Sequence, residues 1–204
     1  MNNYEYIVAS LPVLRQEDAR TDNLDAAALV DEIRGQLSGH DQALLDTLLD
    51  GYDPDKMDAD FYARMTGHKN RFLREWFTFD LDLRNTTVAY LNDQLGREAG
   101  RDLIQPEGFE ELEAFPEREA AEAILRGTDI LKRERGLDDL RWRKIDEITI
   151  MDFFDIEAIL GFVAKLKIID RWLQLDPDSG RALFRRMVED IRSTYDNKKQ
   201  NIAI

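Results

Sequence analysis

From Phe61 to Glu98 the chain reads FYARMTGHKNRFLREWFTFDLDLRNTTVAYLNDQLGRE, with no proline. Apolar residues recur at Phe61, Met65, Phe72, Trp76, Phe79, Leu83 and Tyr90. The steps are mostly three, four or seven, the spacing of one helix face. A single helix over this stretch has about ten turns and spans roughly 55 Å. Asp58 is placed to accept a free backbone N–H at its start, and Gly100 to end it in a left-handed conformation. A helix of that length serves as a spine for others to pack along.

The flanking segments punctuate themselves. Residues 4–14, YEYIVASLPVL, have extended character, with Pro12 discouraging helix, and are expected to cross the helices as a strap. Residues 15–23 read as polar linker. Leu24–Leu37, capped by Asp22 or Asn23, is a short amphipathic helix with Leu29, Ile33 and Leu37 inward. Ser38-Gly39 breaks it, and Asp41–Leu49 resumes with Leu44, Leu45, Leu48 and Leu49 inward, a helical hairpin. Gly51–Asp58 is a loop.

After Gly100 the chain is irregular through Pro106 and Gly108. Pro116 suits the first turn of a new helix. It is expected to run to about Arg135, with Ala120, Ala123, Ile124, Leu125, Ile130 and Leu131 on its apolar side. Gly136 then interrupts, and Leu137–Ile148 forms another helix with Leu140, Ile145 and Ile148 inward. Thr149–Phe154 turns the chain. Asp155–Gln174 carries a wide apolar stripe of Ile156, Ile159, Leu160, Val163, Leu166, Ile169 and Leu173. Asp176-Pro177 starts a last helix to about Ser193, before a frayed polar tail. The resulting fold class is all-α: a bundle of long antiparallel helices with short helical hairpins. It makes one domain over residues 1–204, which could divide into two sub-units near 101–116.

Chemistry is sparse. No cysteine is present, which excludes disulfides, thiolate metal sites and a cysteine nucleophile. The two histidines, His40 and His68, carry no HExxH or Glu-x-x-His spacing and read as surface residues. Asp80 and Asp82 lie two apart, so on a helix they diverge and share no metal; each reads as solvated or ion-paired. Asp53, Asp55, Asp58 and Asp60 resemble part of a calcium loop, without its bending glycine and closing glutamate. No GxSxG, Walker or GxGxxG motif occurs. The expected catalytic, metal and cofactor-binding residues are therefore none.

A net charge of -14 argues against binding a nucleic-acid backbone or an anionic membrane surface. The opening residues lack signal-peptide character, and no uncharged apolar run reaches membrane-spanning length. Phe72, Trp76, Phe77 and Phe79 read as core, with a binding surface as the alternative. Phe77 lies off the main stripe and is the one expected to meet a neighbouring helix or another protomer. Acidic residues concentrate in His40–Asp60 and Gln105–Ala123, basic ones in Arg126–Lys144 and Arg181–Lys199, a polarity that suits orienting a docking protein.

Two segments carry a family resemblance. YEYIVASLP and FDIEAILGFVAKLKIIDRWLQLDPDSGRALFRRMVEDI, with its KLKI, RW and G-x-x-x-F, resemble the two ends of the bacterial DUF2764 family, which occurs with V-type ATPase subunits. DLDLRNTTVAYL is similar to a pattern in helices of the C-type (or d-type) subunit of V-type ATPases. The resemblance implies an all-helical, non-catalytic coupling subunit of a rotary V/A-type ATPase that moves protons or sodium ions. Its partners would be the central-stalk subunits and the membrane rotor ring. It would be cytoplasmic, peripheral to the inner membrane through the complex, with no membrane insertion, no nucleic acid and no cofactor. The competing readings are a freestanding helical protein–protein adaptor and a carboxylate enzyme. The enzyme needs three or more acidic or histidine side chains converging in one pocket.

Overall fold

The computed structural model describes residues 3–15, 25–106 and 115–174. Among the described residues the chain forms eight α-helices and no strand. It divides into two compact units, one of Met1–Leu14 with Asp25–Leu166 and the other of Arg15–Leu24 with Lys167–Ile204. The expected linker from residue 16 to 23, the caps Asp22 and Asn23, the irregular segment 107–114 and the helix beginning at Asp176-Pro177 lie outside the described residues.

The expected spine is two helices, not one. Helix α4 spans Ala59–Thr66 and α5 spans Arg71–Gln94. Gly67 caps α4, and the Asn70 side chain accepts from the Leu73 amide at 3.0 Å to start α5. Between them the Asn70 amide donates to Nδ1 of His68 at 3.0 Å, so His68 is a half-buried joint residue, not a surface one. The two helices fold back on each other. The Phe61 and Phe77 rings meet edge to face at 5.0 Å, although in one straight helix they would stand roughly 24 Å apart. The apolar period survives the break because both helices turn that face to the same core.

Asp58 caps α4, accepting from the Phe61 amide at 2.8 Å. Helix α5 ends before Gly100. Gly96 takes φ +61, its amide reaches Asp93, and the Arg97 amide reaches the Asn92 carbonyl at 2.8 Å. This pair of bonds is a Schellman cap, which needs the left-handed residue that glycine supplies. The chain then returns along α5: Asn85 exchanges two hydrogen bonds with Ile104, and Asn92 donates to the Arg101 carbonyl at 2.7 Å.

Residues 4–10 are helical, not extended. Helix α1, Tyr4–Ser10, is capped by the Asn3 side chain, and Pro12 lies just beyond its end, where it stops a helix without opposing one. Ile7 is buried, and the Tyr4 hydroxyl donates to Asp41 of α3 at 2.8 Å. Helices α2 (Ala26–Gln36) and α3 (Gly39–Asp50) make the expected hairpin, started by Asp25 and Ser38. Ile33, Leu37, Leu44, Leu45 and Leu48 are buried as expected.

Helix α6 is Arg118–Leu125 and α7 is Ile130–Thr149. The interruption falls around Gly127 and not at Gly136, through which α7 passes unbroken. Asp129 restarts the helix by accepting from the Lys132 amide at 3.1 Å. Gly136 is small for packing: a Cβ there would sit 2.8 Å from the Ile124 side chain of α6. Of the expected apolar side, Leu125 is buried and Ile124 half-buried, but Ala120 and Ala123 are exposed and Ala121 is buried in their stead; Ile130 and Leu131, beyond the break, are exposed as well.

Helix α8 is Ile156–Gln174, with Ile159, Leu160, Val163 and Leu166 buried as expected. Helix α5 is the hub of the first unit, packing against α4, α6 and α7. Arg71 at its start bonds the Ile148 carbonyl and Asp152 past the end of α7, so α5 and α7 run antiparallel.

Candidate functional site

Two surfaces stand out from this frame. The first is the connection from α7 to α8. Ile150, Met151, Phe153 and Phe154 are 70%, 77%, 64% and 55% exposed. Large apolar side chains held together in water mark interaction sites. This loop is also anchored. The Arg71 guanidinium grips Asp152 and donates to the Ile148 carbonyl at 2.8 Å. The Asp152 amide donates to the Thr149 carbonyl at 3.0 Å, and Asp155 accepts from the Ala158 amide at 2.9 Å to start α8. Asn70 reaches Glu157 at 3.1 Å, and burial with neighbouring Asp155 and Asp152 raises the Glu157 pKa. The apolar tips thus project from a base fixed by ion pairs and caps.

The second surface is a groove of about 490 Å³ between α5, the residues leading into α6, and α7. Phe79 and Phe115 form its apolar wall, ring centroids 5.8 Å apart. Lys144 is bound to Glu117 at 3.2 Å and Glu147 at 3.3 Å. Burial pulls the Lys144 pKa down, but these two acids outweigh it and hold it above the ordinary value. Arg74 donates to the His68 carbonyl at 2.9 Å, and Glu75 lies 3.7 Å from Arg71. Asp82 also lines the groove. Burial pushes its pKa up to about 6, with Arg118 opposing and Glu117 adding to the rise.

The residues singled out in the sequence divide accordingly. Phe72, Trp76, Phe77 and Phe79 are all buried, so they are core as expected, and of the four only Phe79 also lines the groove. Phe77 does meet a neighbouring helix, α4. Asp80 and Asp82 diverge as expected, yet neither is simply solvated: Asp80 accepts from the Tyr62 hydroxyl at 2.6 Å and Asp82 faces the groove. Asp58 caps a helix and Asp53 accepts from the Asp55 amide, both local structural tasks. Among the described residues no group of three His, Asp or Glu side chains could hold a metal ion. The α7–α8 loop was legible as a turn but not as a surface. Its signal was composition, since Ile150-Met151-Asp152-Phe153-Phe154 is far more apolar than turns usually are.

Among the described residues no helix is long and apolar enough to cross a membrane. A family model described as "Protein of unknown function (DUF2764)" matches residues 52–194. No curated protein and no solved structure matches the chain.

Proposed function

From the premise that the chain belongs to the DUF2764 family, we propose that it is a non-catalytic coupling subunit of a V/A-type rotary ATPase. In this reading it links the central shaft to the membrane rotor ring. The observation that carries a protein-docking role is the α7–α8 loop, whose four exposed apolar side chains are fixed from below by Arg71 and Asp155. A preset apolar anchor loses little conformational freedom on binding, and aromatic anchors dominate interface energetics. The identity of the partner rests on the resemblance of the chain's two ends to a family that occurs with V-type ATPase subunits. It rests also on the similarity of the α5 segment to the C-type subunit. The all-helical architecture agrees with both. The role is mechanical: rigid helices pass force between two docked partners, and no bond is made or broken.

Affinity purification of the full chain from its native host, with the bound chains identified, tests this directly. Central-stalk and rotor-ring proteins are expected in the eluate. The double variant Phe153→Ser, Phe154→Ser is expected to lose them while keeping the helical circular-dichroism spectrum of the parent, because exposed substitutions change stability little. Recovery of neither kind of ATPase protein overturns the assignment. Loop-dependent recovery of unrelated proteins would instead favour a freestanding adaptor.

A further inference from the structure

The groove beside α5 has an unbalanced charge. Of its cations, Lys144 is paired with Glu117 and Glu147, and Arg74 donates to the His68 backbone carbonyl. Glu75 and Glu117 are likewise engaged by Arg71 and Lys144. Asp82 differs. Among the described residues it has no hydrogen bond and no cation within 4 Å; Arg118 acts on it from farther away. It is half-buried in a cavity of about 490 Å³, a volume in the range of small-ligand sites. A half-desolvated carboxylate without a partner is costly, and a cation delivered from outside removes that cost. An anion would face the carboxylates of Glu75, Asp82 and Glu117 that line the groove, and a neutral apolar group would desolvate Asp82 further.

We infer that this groove binds a guanidinium group carried on a short apolar stem, with Asp82 accepting from the guanidinium and Phe79 and Phe115 packing the stem. A guanidinium fits better than an ammonium on two grounds. Its planar fork meets both oxygens of an open carboxylate, and its weak hydration makes entry beside aromatic rings less costly. The inference stands apart from the ATPase reading, because it uses no residue of the α7–α8 loop and names no ATPase partner. The same chemistry could come from a free small guanidine or from an arginine of a bound protein.

The full chain is titrated with 1-butylguanidinium chloride and, separately, with the capped peptide acetyl-Gly-Arg-Gly-amide, following backbone amide shifts and binding heats. At pH 8, saturable shifts are expected at Thr78 and Asp82. Affinity should fall about tenfold at pH 5, one unit below the Asp82 pKa of about 6. The other charged groups around Asp82 are Arg74, Glu75, Glu117, Arg118 and Lys144. Asp82→Asn, checked for native circular dichroism, should lose at least as much affinity at pH 8 as the wild type loses at pH 5. Arg118→Gln should bind more tightly, since the internal competitor is gone. Tighter binding of the peptide than of butylguanidinium assigns the site to a partner's arginine, and equal or weaker binding to a free guanidine. Absence of saturation at pH 8, unchanged affinity in Asp82→Asn, or weaker binding in Arg118→Gln overturns the inference.

Discussion

Asp80 and Asp82 sit two residues apart on α5, and the helix gives them opposite circumstances. Asp80 faces α4, where the buried Tyr62 hydroxyl donates to it at 2.6 Å. Around that bond lie Trp76, the buried Tyr52 hydroxyl and the Asp138–Arg141 pair at 3.0 Å. Burial first, and then the Asp80 charge, raise the Tyr62 pKa well above the ordinary tyrosine range. Asp82 faces α6 and α7 across open space and has no such donor among the described residues. One acid is therefore a component of the folded hairpin, and the other is left to solvent and ligand. A single helix supplies both because a two-residue step turns a side chain through about 200°. Chemical identity did not distinguish them; the donor across the interface did.

The comparison breaks most severely if the hairpin side is emptied. Phe77 is 1% exposed, meets Phe61 edge to face, and lies so close to Gly51 that a Cβ there would stand 2.1 Å from its ring. Phe77→Ala should cost about 3–5 kcal/mol, the transfer term plus a cavity that the backbone at Gly51 cannot fill. Gly51→Ala probes the same contact from the other side and should cost about 1–3 kcal/mol through overpacking. Urea unfolding at constant m-value reads both. A Phe77→Ala loss below about 1 kcal/mol, well short of the usual cost of emptying a core ring, would mean that α4 and α5 are not held together here.

Tyr62→Phe sharpens the contrast at lower cost. It removes one oxygen and leaves Asp80 facing an apolar edge, so the loss is that of stranding an acceptor, about 1–3 kcal/mol. Faster amide exchange should spread through α4 and the facing turn of α5 and spare α8. Unchanged stability in urea would show that water replaces the hydroxyl and that Asp80 is no more committed than Asp82.

Much of this layout was legible in the residue spacing. The inward faces of α2, α3 and α8, and of α7 from Leu140 on, follow from it, because burial must follow the period of a helix, whereas Ile130 and Leu131 at the start of α7 are exposed. The spine failed because capping beats periodicity locally. Residues 61–98 keep one apolar period throughout, yet Gly67 and Asn70 end one helix and start the next, and Gly96 closes the second early. Gly136 invited the reverse error, since a glycine inside a helix can be there for the neighbour it lets in, here Ile124. In YEYIVAS, β-branched and aromatic composition suggested extension, but Asn3 at the start and a buried face at Ile7 outweigh that weak preference. The difference between Asp80 and Asp82 was not legible at all. It depends on Tyr62, placed by the fold-back at Gly67, and on the groove, placed by the packing of Phe115–Glu117 and α7 against α5.

The smallest expected effect has the opposite sign from the others. Because burial lifts the Asp82 pKa to about 6 in the folded chain, above the roughly 3.9 of an unfolded aspartate, the folded state binds more proton between those values. Its contribution is fully present below about pH 4 and is lost as pH rises through about 6. Asp82→Asn keeps the shape and never takes the charge. The melting temperatures of variant and parent should therefore coincide near pH 4. They should separate by pH 7, with the variant higher by no more than about 2–4 °C, since solvent screens a half-exposed group to about 1 kcal/mol or less. The corresponding change at the other acid, Asp80→Asn, should lower the melting temperature at pH 7, because it weakens the acceptor that the Tyr62 hydroxyl bonds. Shifts of the same sign in both variants would mean that the two acids sit in equivalent surroundings, and that the groove imposes no cost for a ligand to relieve.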